Sequence, residues 1–399
     1  MKIRERIGKN QRKRLGVLVA VILLSLAGCG NSGPEHVAET EVDKEEPKIT
    51  DELMNLAEGY REIYEEAAAE GTLADLEVMR EITEYFGRAG YAAVDINNQI
   101  NMLNYEQAEE FCVKAQNGGS VGTQIVAVRD DGGFIHYDLT AEAGNIHVKL
   151  NTLQWADAEP YVSYSHEFDA YSWKYTDKGY LLIEEYRPPG YDGAPGQTGL
   201  RIRPLDEKCR ELNRKYVMPV GYAVNNLMIT NWNEQDFSAL EFYDLYEILY
   251  RAEYGEYVPY EAYEGAEYEV PAEEFETVIQ KYFQISRETL AQNTLYNPAT
   301  GTYRYHPRGL KETEEPYEPY PEVTAYEELG DGTIRLSVEA VWIREMEDCV
   351  LPVNLTVRPL EDGGYQYVSC QIISWGENVG GGWYAPRLTA EQWELEYRE

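Results

Sequence analysis

Ile334-Arg335-Leu336-Ser337-Val338-Glu339-Ala340-Val341-Trp342 alternates apolar with polar residues at a period of two. Leu351, Val353, Leu355 and Val357 repeat the alternation against Asn354, Thr356 and Arg358. Tyr365–Ser374 then follows a turn at Glu361-Asp362-Gly363-Gly364. Such runs joined by short turns predict an antiparallel meander with one face toward a core. Upstream, Phe275, Val278, Ile279, Tyr282 and Phe283 fall at helical spacing behind Pro271, a residue suited to a first helical position. One helix laid across a strongly curved antiparallel sheet buries both stripes. A shorter helix is expected over 286–292, and Thr389-Ala390-Glu391-Gln392 predicts a capped terminal helix bearing Trp393.

The same order, helices and then hairpins, occurs earlier in the chain. Thr50 reads as an N-cap for a helix ending near Gly71, with further helices over 73–87 and 104–117. Strands are expected at Thr123–Val128, Phe134–Leu139, Asn145–Leu150, Tyr171–Tyr175 and Tyr180–Tyr186. Consecutive hairpins indicate an antiparallel meander and not βαβ units, so the fold class is α+β. Gly190–Gly199 reads as a loop, with helices after it over 205–216 and 237–254. The C-terminal pattern resembles cystatin-like and nuclear-transport-factor-like rolls, which host enzymes and binding modules alike, so fold leaves function undecided. No residue-level repeat relates the two parts, and a divergent duplication stays open.

The N-terminus carries a different signal. Lys2, Arg4, Arg6, Lys9, Arg12, Lys13 and Arg14 precede an apolar run from Leu15 to Gly28 that ends in Leu26-Ala27-Gly28-Cys29. A basic leader, a short apolar stretch and small residues before the cut describe a secretory signal. Leu26-Ala27-Gly28-Cys29 resembles the lipobox of bacterial lipoproteins. That resemblance implies cleavage after residue 28 and diacylation of Cys29, leaving the protein on the outer face of the cell membrane. A Gram-negative periplasmic anchor is the alternative. As a spanning helix the run would reach about 21 Å of a core about 30 Å thick, too short to cross. Beyond the lipobox, the layout resembles uncharacterised Gram-positive surface lipoproteins of unknown function. The expected organisation is a signal peptide over 1–28, a disordered tether over 29–49 and an N-terminal α+β domain over 50–254. A Tyr/Glu-rich connector over 255–270, a C-terminal α+β roll over 271–376, and a Gly-rich junction with a terminal helix over 377–399 complete it.

Removing the leader's seven basic residues and Glu5 leaves 28 Lys and Arg against 70 Asp and Glu, a net charge of −42. Such a field repels phosphate, which excludes nucleic acid as a partner and leaves the lipid as the only expected hold on the membrane. Cys112, Cys209, Cys349 and Cys370 remain. A hairpin turning at 361–364 sets Cys370 opposite about Leu355, roughly 20 Å from Cys349 and beyond disulfide reach. Four buried thiols are expected, with a Cys112–Cys209 bridge left open.

Chemistry is sparse. Gly118-Gly119-Ser120-Val121-Gly122 matches G-x-S-x-G, yet helix precedes and strand follows, the reverse of a nucleophile elbow. With a turn at 141–144, His136, Asp138, His147 and Lys149 share one face, Asp138 opposite His147 and His136 opposite Lys149; the lysine argues against a cation there. No catalytic constellation, metal site or cofactor motif emerges. Tyr254, Tyr257, Tyr260 and Tyr263 recur every third residue, the period of an extended polyproline-II edge, and Tyr317 and Tyr320 among prolines repeat it. Tyr254, Tyr257, Tyr260 and Tyr263, with Trp383 and Tyr384 after Gly380-Gly381-Gly382, form the candidate ligand-binding set. The expected function is a non-enzymatic binding or scaffold module taking a cell-wall glycan, a peptide or a cationic partner. The alternatives are a cell-envelope hydrolase with paired carboxylates and a solute-binding lipoprotein of a transporter.

Overall fold

Two five-stranded sheets organise the chain, each carrying helices on an apolar face. The structure, a computed structural model, describes residues 46–309, 312, 317–374 and 382–398. Residues from Pro47 onward form one compact unit. In chain order the first half holds α1 (Glu46–Glu58), α2 (Arg61–Glu70), α3 (Leu76–Arg88), β1 (Ala92–Asp95), α4 (Tyr105–Gln116), β2 (Val121–Val128), β3 (Phe134–Glu142), β4 (Asn145–Ala156), β5 (Glu159–Asp169), β6 (Ser172–Tyr175), β7 (Tyr180–Glu184) and β8 (Gln197–Arg201). The second half holds α5 (Glu207–Leu212), β9 (Trp232–Asn233), α6 (Phe242–Tyr254), β10 (Tyr268–Pro271), α7 (Ala272–Tyr282), α8 (Arg287–Gln292), β11 (Tyr296–Asn297), β12 (Thr302–Tyr305), β13 (Tyr320–Glu328), β14 (Ile334–Trp342), β15 (Glu347–Pro359), β16 (Tyr365–Ile372) and α9 (Ala390–Tyr397). The fold class is α+β, as the alternation of helical and period-two segments predicted.

The first sheet has the order β1-β2-β3-β4-β5. Along β2 the side-chain alternation serves two cores at once. Ile125 and Ala127 join Phe111 and Cys112 of α4 and Leu181, Ile183 and Leu200 of the small β6-β7-β8 sheet. Val126 and Val128 face the other way, against Ala57, Tyr60, Ile82 and Phe86 of the N-terminal helices. The second large sheet has the order β13-β14-β15-β16-β9. Its Leu336, Val338, Leu355 and Tyr367 bury against Phe275, Val278 and Ile279 of α7. The helix-on-sheet arrangement is therefore present where the apolar stripes placed it. Leu355 lies directly opposite Cys370, the register expected for that hairpin.

Several expectations need correction. The pair β1–β2 is parallel, linked through α4, so the first sheet is not purely a meander. Helix α1 already runs from Glu46, and a break at Gly59-Tyr60 separates it from α2, so Thr50 does not open the first helix. Strand β5 is an addition to the expected strands: Asp157 and Ala158, both non-glycine residues at φ 50° and 64°, make the two-residue turn before it and carry no turn signal in sequence. Tyr320 opens β13 and does not continue a polyproline edge. The N-terminal core gives way between Ile202 and Cys209, so 205–254 packs with the second core, not with the first as the boundary at 254 implied. Cys112, Cys209 and Cys370 are buried and unbridged, whereas Cys349 is only half-buried and also free. The lipobox, the tether up to residue 45 and residues 375–381 of the junction lie outside the described residues. Gln392 completes the capping box on Thr389, and Trp393 is buried.

The halves are joined by buried charge. Arg201 on β8 donates to Glu322 on β13 at 2.7 Å, with side chains only 5% and 2% exposed. Tyr180 donates to the other carboxylate oxygen at 2.8 Å, and Asn98 to the same oxygen at 3.2 Å. Removing one partner strands the other charge in a dry site. Glu322→Ala is expected to cost about 3–5 kcal/mol in urea unfolding; a loss under about 1 kcal/mol would show that the seam does not hold the halves together.

Candidate functional site

The first sheet is covered on its α1–α3 face over only half of its length. Val126, Val128, Phe134 and Leu153 lie under the helices, and below them the same face turns polar. Gln124 pairs with Asp138, Asp138 with Lys149, and Lys149 with Glu167 across β2, β3, β4 and β5. The next row is Gly122, Thr140, His147 and Asp169. A groove of about 690 Å³ follows this uncovered edge, walled by Gly90 and Tyr91, by Gln107, Glu110, Phe111 and Lys114 of α4, and by Gln124 and Asp138. It meets a second hollow of about 860 Å³ at Val121 and Gly122, which runs on to His147 and Asp169.

The register differs from the expected one by two residues. Asp138 sits opposite Lys149, and His147 opposite Thr140, because the hairpin closes on Ala143-Gly144 alone. Both residues have positive φ, 51° and 86°, the requirement of a two-residue turn with the twist of its strands. His147 consequently meets β5. Its Nδ1 lies 2.7 Å from Asp169 Oδ1 and its Nε2 2.8 Å from Glu167 Oε1. The hydrogen bond to Asp169, with Glu167 behind it, raises the imidazole above its ordinary range.

His136 behaves in the opposite way. It is 1% exposed, lies edge-on to Tyr91 at 6.0 Å between ring centres, and its Nδ1 has no partner. Burial pushes it down to about 4. Asp138, half-buried two residues further along the strand, has no hydrogen-bond or ion-pair partner among the described residues, and neither does the Gln124 amide. A half-buried carboxylate without a partner is costly unless solvent or a ligand meets it.

A smaller cleft of about 390 Å³ lies in the second half, lined by Glu241, Tyr243, His306, Arg387 and Trp393. Behind its lining residue Arg387 lies Asp244, wholly buried and bound by Arg308 at 2.7 and 2.9 Å, Arg387 at 2.5 Å and Tyr384 at 2.9 Å. Burial, and then the charge of Asp244, raise the Glu241 carboxyl, whose Oε1 caps α6 by accepting the Tyr243 N–H at 3.2 Å. Every charged partner of Asp244 is spent within the knot, which reads as a structural pin.

The tyrosine set does not assemble. Tyr254, Tyr257 and Tyr263 are 51%, 75% and 61% exposed, and Arg251 covers the Tyr257 ring at 4.9 Å. Tyr260 instead turns inward, donating to Glu274 and packing on Tyr268 and Tyr305. Trp383 is fully buried between Tyr222 and Trp342, so it offers no face to a sugar. Tyr384 is held by Asp244 and lies beneath Arg308 at 5.4 Å. The residues that sequence patterns missed are Tyr91 and Gln124, which wall the groove, and Glu167 and Asp169, which β5 sets beside His147. Among the described residues no group of His, Cys, Asp and Glu is placed to hold a metal, and no helix is long and apolar enough to cross a membrane.

Two histidines on one sheet should titrate with opposite consequences. A raised imidazole stabilises the fold fully below its unfolded value of about 6.5, and that contribution fades as pH rises through the folded value. His147 therefore contributes on the acid side. His136, lowered to about 4, must stay neutral in the fold, so its stabilisation is lost as pH falls from about 6.5 toward 4. Carbon-13 HSQC titration should show His147 with a midpoint above 6.5 and His136 without one above 5. His136→Phe should flatten the acid-side fall in stability, worth about 3 kcal/mol. An ordinary midpoint for His136 would contradict its burial.

No curated protein and no solved structure matches the chain. Residues 46–387, which span both sheets and most of the groove's surroundings, match a family of unknown function, DUF6070, and the chain belongs to that family.

Proposed function

We propose that the chain is a lipid-anchored extracytoplasmic binding module that holds its ligand in the groove beside β2. The anchor rests on the basic leader and on Leu26-Ala27-Gly28-Cys29. Binding rests on one observation above others: Asp138 and Gln124 line a groove of about 690 Å³ and have no partner among the described residues. Polar groups kept half-buried and unpaired cost stability, and a ligand that pairs with them recovers it. In this reading the acidic body stands off the anionic membrane, and the lipid on Cys29 is its only hold.

A hydrolytic reading has one observation in its favour, the raised carboxyl of Glu241 in the smaller cleft. Its Oε1 is already used as the helix cap, and the nearby Asp244 is neutralised by Arg308 and Arg387. Binding is the better-supported function.

Cells expressing the full chain and fed an alkyne-tagged palmitate should yield labelled protein, and Cys29→Ala should yield none and retain the leader. An unlabelled wild-type chain would end the anchor proposal. For binding, tyrosine fluorescence of the purified chain should respond to a wall-glycan fragment, a peptide or a polyamine. Silence toward all three would contradict a binding module.

A further inference from the structure

Strand β2 has an open edge. β1 pairs with Ile125–Val128 only, from Ala92↔Ile125 to Asp95↔Val128, and leaves Val121–Gln124 with no strand on that side among the described residues. The Val128 carbonyl accepts the Ile96 N–H at 2.8 Å on the β1 side. Backbone groups alternate in direction along a strand, so those of Val126, Gln124 and Gly122 point the same way. In a parallel ladder, the Ala92 N–H takes the Gln124 carbonyl. The Gln124 N–H and both backbone groups of Gly122 then face the groove, and no backbone partner for them occurs among the described residues.

The preceding chain cannot fill the place. At the end of α3 the Tyr91 N–H closes onto Phe86 at 3.2 Å, and Gly90 takes φ +97° to turn the corner. The carbonyls of Tyr91 and Gly90 are taken by the side chains of Asn104 and Gln107. The result is a slot along β2, open between this corner and α4.

We infer that the slot binds an extended, basic segment of a partner polypeptide as a short added strand. This rests on the binding function proposed above and names its ligand class. The unpaired N–H, C=O and N–H groups of Gly122 and Gln124 repeat at the spacing of a peptide backbone, the recognition mode of strand addition. Side chains of an added strand alternate between the two faces of the sheet. On one face they meet Phe111 and Val121, which suits an apolar residue. On the other they meet Gln124 and, two strands in, Asp138. That carboxylate lies about 9.5 Å from the new strand, a reach that a lysine or arginine has; Lys149 opposite it is paired with Glu167 at 3.7 Å and Lys114 of the groove wall with Glu110, which leaves Asp138 for the incoming charge. The net charge of −36 steers cationic segments toward the surface as a whole.

Hydrogen exchange of the full chain, read by mass spectrometry over residues 121–124, tests the inference. The probes are a pool of blocked pentapeptides with a central lysine between valines or threonines, the same pool N-methylated at either alternate set, the pool with norleucine for lysine, and soluble peptidoglycan glycan fragments. The unmethylated lysine pool should slow exchange at 121–124. Methylation on the pairing edge should abolish the effect, and norleucine or Asp138→Asn should weaken binding about tenfold. The norleucine pool keeps the charge test independent of whether the variant folds. Full binding by both methylated pools would overturn strand addition, and no protection at 121–124 by the lysine pool at millimolar concentration would overturn the peptide. If glycan fragments then protected the groove, the binding function would survive with another ligand. If no probe bound anywhere, both would fall.

Discussion

Arg201 and Glu322 meet where neither can reach water, and the arrangement of the whole chain depends on that meeting. A lone charge at this depth costs several kcal/mol, so each residue requires the other to be delivered in place. Arg201 ends the small sheet of the first half, and Glu322 lies near the start of the second large sheet. Tyr180 and Asn98 complete the carboxylate's shell, and the Arg201 guanidinium lies over the Tyr180 ring at 5.0 Å. Around them Tyr320, Gln99 and Arg210 extend the polar seam. Two apolar cores alone could slide against each other; this seam gives their packing one register.

That fixed packing leaves the two large sheets with different free surfaces. Each has a four-strand meander and one short extra strand, but the additions are at opposite ends. β1 joins the meander's first strand in parallel, whereas β9 joins the last strand of the other meander antiparallel. A duplication would have to explain this difference. In the first sheet the added strand is four residues long beside an eight-residue neighbour. The uncovered half of β2 therefore borders the groove, and the polar half of the sheet face opens beside it. Helices α1–α3 end their coverage at the row of Val126, leaving Asp138 and Gln124 half in solvent.

Much of the fold was legible because the apolar alternation of β14–β16 and the stripe of α7 are uninterrupted. The register of Leu355 on Cys370 followed from a turn marked by Asp362-Gly363-Gly364. The candidate site was not legible, for local reasons. Ala143 and Asp157-Ala158 adopt left-handed backbone that those residue types seldom signal, so one register slipped by two and β5 vanished from view. The tyrosines at period three carry no shared fate: Tyr260 is drawn inward by Glu274 while its neighbours remain outside. Trp383 looked like a surface ring beside glycines, and packing against Trp342 buries it. Whether a strand edge is free depends on how far its neighbour extends, a tertiary property with no marker in Gly122 or Gln124.

The groove depends on a β2 edge that is unoccupied between Val121 and Gln124 in the free protein. Residue-resolved hydrogen exchange on the ligand-free chain tests it most directly. The Gly122 and Gln124 amides should exchange within about two orders of magnitude of an unstructured peptide, while the Thr123 and Ile125 amides, turned toward β3, should be far slower. Equal, strong protection at all four positions would mean that the edge is already paired, and the account of this surface as a binding groove would be wrong.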